Sequence, residues 1–132
     1  TRQWGFAPDM SSFAYLKGNW PAYVAMLGIA WSSAAFAEEI VFRGFLMNRL
    51  RAVDGGGVIA AFTALIVSSA LFGAAHFYQG LGGVVTTGAA GLALGILTLV
   101  ARGNLWPAIL THGIVDTIGL TIFFLGAMPQ SS

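Results

Sequence analysis

AAFAEEIVFRGFL, residues 34–46, sets two adjacent carboxylates and a guanidinium inside a run of otherwise apolar side chains. A charge at mid-bilayer costs roughly 2.5 to 3.5 kcal/mol, so groups kept there pair with one another and serve chemistry or transport. Glu39 and Arg43 stand at i, i+4 with the acid nearer the N-terminus, the favourable order for an ion pair on one helical face. With α-helical winding, Glu38 points about 100° around from Glu39 and is the carboxylate left for other partners. The surrounding stretch, Trp20 to Arg51, reads as one helix with Pro21 tolerated in its opening turn. At about 1.5 Å per residue it exceeds the roughly 30 Å hydrocarbon core, so it must tilt, break or project.

The rest of the chain has the same character. Of its 132 residues, 57% are hydrophobic and 8% charged, against about 25% charged in a soluble domain. The mean hydropathy is +0.79. Three further spans follow, near Val58 to Tyr78, Leu81 to Val100 and Trp106 to Met128, separated by turns at Asp54-Gly55-Gly56-Gly57 and Arg102-Gly103-Asn104. Gly91 and Gly95, in G-x-x-x-G spacing, equip the third span for close approach by another helix. The expected fold is therefore all-α: a polytopic bundle of about four membrane-spanning helices with a polar site inside it. Residues 20–132 form the core. Residues 1–19, with Arg2, Trp4, Phe6, Phe13, Tyr15 and Lys17, read as an interfacial or connecting segment. Thr1 in place of Met, with no signal-peptide pattern after it, leads to the expectation of a fragment or processed chain.

A net charge of +1 offers no basic surface to follow a nucleic-acid backbone, which removes that class of partner. The absence of cysteine removes disulfides, thiolate nucleophiles and thiolate metal sites. Arg49, Arg51 and Arg102 fall on one side if all four spans cross, with Arg2 and Lys17 opposite, and the balance sets the turn side as cytoplasmic in a cell membrane.

Two more polar pairs repeat the helical spacing. Phe72 and His76 lie at i, i+4 on the second span, and His112 and Asp116 lie at i, i+4 on the fourth, where a carboxylate one turn away can fix an imidazole's tautomer. Counted from the basic turns at about 1.5 Å per residue, Glu38, His76 and His112 do not share one depth on straight upright helices. Tilt, a late helix start after the triple glycine, or a partly buried start at Trp106-Pro107 is needed to join them.

Glu38-Glu39-x-x-x-Arg43, Phe72-x-x-x-His76 and His112-x-x-x-Asp116, in that order, resemble the signature motifs of the CPBP intramembrane proteases. That family is also known as the type II CAAX prenyl endopeptidase, lysostaphin-resistance-like or Abi family. The resemblance runs from Ala37 to Thr117 and includes Phe42, Gly44 and Asn104-Leu105-Trp106-Pro107. It implies hydrolysis of a peptide bond in a membrane-associated peptide or protein substrate, prenylated and CAAX-type in part of the family. On this resemblance Glu38 is the general base and His76 holds the same water. Arg43 with Glu39 maintains the charge state, and His112 with Asp116 faces the developing oxyanion. The family admits Asn or Asp at position 116. An ionised Asp116 cannot donate a hydrogen bond, so it acts by orienting His112 or is itself protonated.

No cofactor is required in this reading. The nearest rival mechanism places a zinc ion on His76, His112 and Glu38, whose donor types suit it. It lacks an H-E-x-x-H motif, and Arg43 repels a cation. A non-proteolytic family member, acting as an immunity or partner-binding membrane protein, is the alternative function, and a transporter is the weakest. Three carboxylates against one guanidinium leave excess negative charge, so an acid or a histidine holds a proton near neutral pH and acid and base coexist. Hydrolysis measured against pH is accordingly expected to follow a bell; a flat profile from weak acid to weak base contradicts it.

Overall fold

The computed structural model describes residues 7–127. Arg2, Trp4 and Phe6 of the expected collar, and Met128 at the expected end of the last span, lie outside them. Four spans among the described residues are long and apolar enough to cross a membrane, and this is a multi-pass membrane protein. They contain helices α1 (Trp20–Val53), α2 (Gly57–Ala75), α3 (Gly80–Val100) and α4 (Trp106–Leu125), and no strand occurs among the described residues. Helices are demanded here because hydrocarbon offers the backbone no hydrogen-bond partner.

Local chemistry sets the helix ends. The Asn19 side chain accepts a hydrogen bond from the Ala22 amide at 3.2 Å and opens α1, as N-cap residues do. Gly55, Gly56 and Gly57 all have φ between 77° and 92°, a region that side chains resist, and they reverse the chain within three residues. The second span ends sooner than Tyr78: helix α2 stops at Ala75, His76 caps it, and Phe77–Gln79 forms a single 3₁₀ turn. Gly80, with φ 74°, makes this early reversal possible. The Asn104 side chain accepts from the Trp106 amide at 3.1 Å to start α4, and Gly126 ends that helix in the left-handed conformation.

The packing is inside out relative to a soluble protein. Arg43 and Glu39 are among the largest fully buried side chains, while Val58, Ile59 and Phe62 are exposed, which suits a protein whose solvent is lipid. Helices α2 and α3 approach backbone to backbone: a Cβ on Gly73 would lie 2.5 Å from the Val84 carbonyl oxygen and 3.0 Å from the Gly88 Cα. Gly95 gives the same room to Leu65, beside a small cluster of Met47, Ala64 and Leu65. Such contacts replace the hydrophobic driving force that lipid removes.

Helix α4 begins well short of the level where α1 ends. Leu105 lies against Gly44, and Trp106 lies 6.3 Å from Phe36 between ring centroids, so two further turns of α1 extend past the start of α4. The Trp106-Pro107 start of α4 thus lies beside the middle of α1, with Trp106 itself exposed. The 7–19 segment is docked on the bundle. Its 3₁₀ helix Ser11–Leu16 buries Leu16 with Ala30 and Leu120, and Phe13 stacks on Phe123 at 5.6 Å.

Gly73→Ala is expected to lower stability by about 1–3 kcal/mol, because the new methyl meets backbone that cannot swing aside. Gly28→Ala, whose Cβ would meet nothing within 4 Å, should be neutral or slightly stabilising. Thermal unfolding of the two variants in detergent, side by side, distinguishes crowding from a general intolerance of alanine.

Candidate active site

The middle of α1 is wound differently from a plain α-helix. Ala30–Glu38 and Ile40–Leu46 are π-helical, with Glu39 between them. Such winding is rare and clusters at functional sites. Glu39 itself keeps α-helical dihedrals, with φ −64° and ψ −39°.

Glu39 and Arg43 form the ion pair expected from their spacing, with Nη1 donating to Oε1 at 2.9 Å and both side chains buried. The pair also reaches three other helices. Arg43 Nη2 donates to the Gly91 carbonyl of α3 at 3.0 Å. Its guanidinium lies 4.4 Å from the centre of the Phe72 ring of α2, a cation–π contact. Glu39 Oε1 also accepts from Nδ1 of His112, on α4, at 2.8 Å. A Cβ on Gly91 would lie 3.0 Å from Arg43 Nη2 and 2.9 Å from Phe72, so that glycine clears the space into which the guanidinium fits.

The partner of His112 differs from the one its own helix suggests. Asp116 Oδ2 stands 3.6 Å from His112 Nε2, outside hydrogen-bond range, and Glu39 of α1 is the carboxylate that holds the ring. The shorter bond wins because α1 and α4 approach closely at Gly113, where the Trp31 ring occupies the space a side chain would fill. Trp31 Nε1 donates to Thr117 Oγ1 at 3.0 Å and fixes that seam.

His76 caps α2 and bonds through Nδ1 to the Phe72 carbonyl at 2.8 Å. A carbonyl only accepts, so Nδ1 carries the proton and the neutral ring presents Nε2 as an acceptor. Phe72 joins the parts: its ring lies 4.8 Å from His76, 6.0 Å from His112 and 5.1 Å from Phe42. Glu38 precedes Glu39 on α1. Its Oε2 and that of Glu39 are buried with no hydrogen-bond partner among the described residues, and buried oxygens of this kind require a donor. Arg43, Glu39, His112 and Asp116 form one chain of ion pairs, the Phe72 ring joins His76 to it, and Glu38 stands next to Glu39 in the chain. No group of three or more His, Asp or Glu among the described residues is arranged to hold a metal ion.

Sequence reasoning missed the Gly91 carbonyl, the Trp31–Thr117 clasp and the Glu39–His112 bond. Gly113 beside His112 was the one visible hint, since a glycine next to a buried polar residue permits close helix approach.

A family model described as type II CAAX prenyl endopeptidase Rce1-like matches residues 19–118, which include all six site residues. No curated protein matches the chain, and no solved structure matches it.

Glu39→Gln removes the charge that balances buried Arg43, and a loss of about 3–5 kcal/mol is expected. Asp116 is part-exposed and makes no hydrogen bond, so Asp116→Asn should change stability by less than about 1 kcal/mol. Thermal melts of both variants in one detergent test this; equal losses contradict the assignment of Glu39 as the anchor.

Proposed function

The chain belongs to the type II CAAX prenyl endopeptidase Rce1-like family, and from that premise we propose that it is an intramembrane endopeptidase acting on a membrane-associated peptide. The observation that carries the reading is the buried Oε2 of Glu38, without a partner among the described residues, next to the Glu39 carboxylate that bonds His112, with His76 against the Phe72 ring that also faces His112.

Glu38 takes a proton from a water molecule as the water oxygen bonds to the scissile carbonyl carbon, and the carbonyl electron pair moves onto its oxygen. Collapse of that adduct breaks the C–N bond, and the proton held by Glu38 passes to the departing amine. A carboxylic acid and an amine are released, Glu38 is again a carboxylate, and atoms and charge balance. His76 contributes position: Nδ1 is committed to the Phe72 carbonyl, so Nε2 accepts the second hydrogen of the water. His112 donates a hydrogen bond from Nδ1–H to Glu39 and, as imidazolium, a second from Nε2–H to the oxyanion. Donors aimed in advance at developing charge supply a large part of such rate enhancements. Asp116, beside Nε2 at 3.6 Å, favours the imidazolium by its charge. Arg43 and Glu39 are positioning residues.

The family points to a prenylated CAAX-type C-terminus as the substrate class, its lipid held in the bilayer beside the cleavage point. The end of the bundle bearing Arg49, Arg51 and Arg102 is proposed to face the cytoplasm. No metal enters the mechanism.

Glu38→Gln should reduce kcat by about 10²-fold or more, the scale of general-base catalysis, with the thermal midpoint retained. A folded Glu38→Gln protein that cleaves at the wild-type rate ends this mechanism. A chelator is expected to leave the rate unchanged, and loss restored by added zinc would favour a metal-activated water instead.

A further inference from the structure

The C-terminus of α3 closes as a Schellman motif: the Gly103 amide donates to the Thr98 carbonyl at 2.9 Å, and the Arg102 amide donates to that of Leu99 at 3.0 Å. The motif requires a left-handed residue at position 102, ordinarily glycine. Here it is arginine, with φ 55°, the one residue other than glycine with positive φ among those described. Side chains are strained in that region, and an observed outlier of this kind points to a use for the side chain.

Arg102 and Arg51 line one cleft of 480 Å³ between the C-terminal turns of α1 and α3, together with Asn48 and, on its apolar wall, Met47 and Leu99. That is the size of a small-molecule site. Every ion pair among the described residues involves Glu39 or Asp116, so neither cleft arginine has a carboxylate partner there. The third arginine at this end is engaged elsewhere, since the Arg49 guanidinium lies 5.4 Å from the Phe45 ring. Asn48 gives one amide hydrogen to the Gly44 carbonyl at 2.7 Å and retains a second. Val53 and Val100, the last residues of the same two membrane helices, are 87% and 75% exposed and apolar.

Two unpaired guanidinium forks set against an apolar wall at a bundle end match a ligand with an anionic head and hydrocarbon tails. We propose that this cleft binds the phosphate of an anionic membrane phospholipid, with Arg51 and Arg102 donating to its oxygens and the acyl chains lying along Val53 and Val100. Basic pockets between membrane helices recognise such headgroups on the same physical grounds. The site is separate from the Glu38 neighbourhood, and the proposal stands whichever reaction occurs there.

The test places the full chain in nanodiscs of pure phosphatidylcholine or of phosphatidylcholine with phosphatidylglycerol, with the thermal midpoint and retained lipid by native mass spectrometry as readouts. Phosphatidylglycerol should raise the midpoint, as any ligand of the folded state does. Arg51→Gln and Arg102→Gly should each weaken its binding by about tenfold, the worth of one charge-assisted contact. Arg102→Gly should be at least as stable as the parent in phosphatidylcholine alone, because glycine relieves the left-handed strain. Three results overturn the proposal: an undiminished phosphatidylglycerol effect in both variants, an equal rise from inorganic phosphate added to phosphatidylcholine discs, or a destabilised Arg102→Gly protein in neutral lipid.

Discussion

A buried guanidinium in a membrane protein has to be satisfied on every side, and Arg43 is satisfied by the whole bundle. Glu39 balances its charge, the Gly91 carbonyl takes a second nitrogen, and the Phe72 ring covers its face. Glu39 in turn accepts a hydrogen bond from His112 Nδ1. One ion pair on α1 thereby fixes α2, α3 and α4, and no part of it can be removed without leaving a buried charge uncompensated. Apolar contacts alone do not impose such specificity in lipid, since lipid tails compete for the same surfaces.

The glycines and the offset start of α4 serve the same constraint. Gly91 makes space for the guanidinium, Gly113 lets Trp31 close the α1–α4 seam, and Gly73 and Gly88 bring α2 against α3. Because α4 starts beside Gly44, its second turn carries His112 to the level of Glu39. Because α2 ends at Ala75, His76 stands at a helix terminus, with its ring pinned to the last turn by the Phe72 carbonyl. The two histidines thus arrive by different routes, one held by a carboxylate and one by a backbone oxygen. Their free nitrogens consequently differ in what they offer, as the proposed hydrolysis, with its proton and its oxyanion, requires.

Much of this was legible before any coordinates. Four apolar runs, the i, i+4 spacing of Glu39 and Arg43, and the glycine-rich face of α3 each follow from periodicity within one element, where the sequence reports geometry directly. Spacing on one helix placed Asp116 beside His112, where it stands 3.6 Å from Nε2, but it is blind to a carboxylate from another helix, and Glu39 is the one that bonds Nδ1. The apolar pattern also ran α2 on to Tyr78, since Phe77 and Tyr78 are as apolar as the helix before them and the reversal is decided by Gly80.

By itself the sequence determined that the chain is helical and membrane-embedded, that Glu39 pairs with Arg43, and that three polar motifs sit on three spans. These are consequences of composition and of contacts within three or four residues, where covalent connection enforces proximity. Tertiary structure alone decided which carboxylate holds which histidine, how deep α4 begins, and that Arg102 takes a glycine's conformation beside Arg51. Such relations join residues tens of positions apart, and the energy that selects them arises only when buried charges must find partners across helices that hydrocarbon does not hold together.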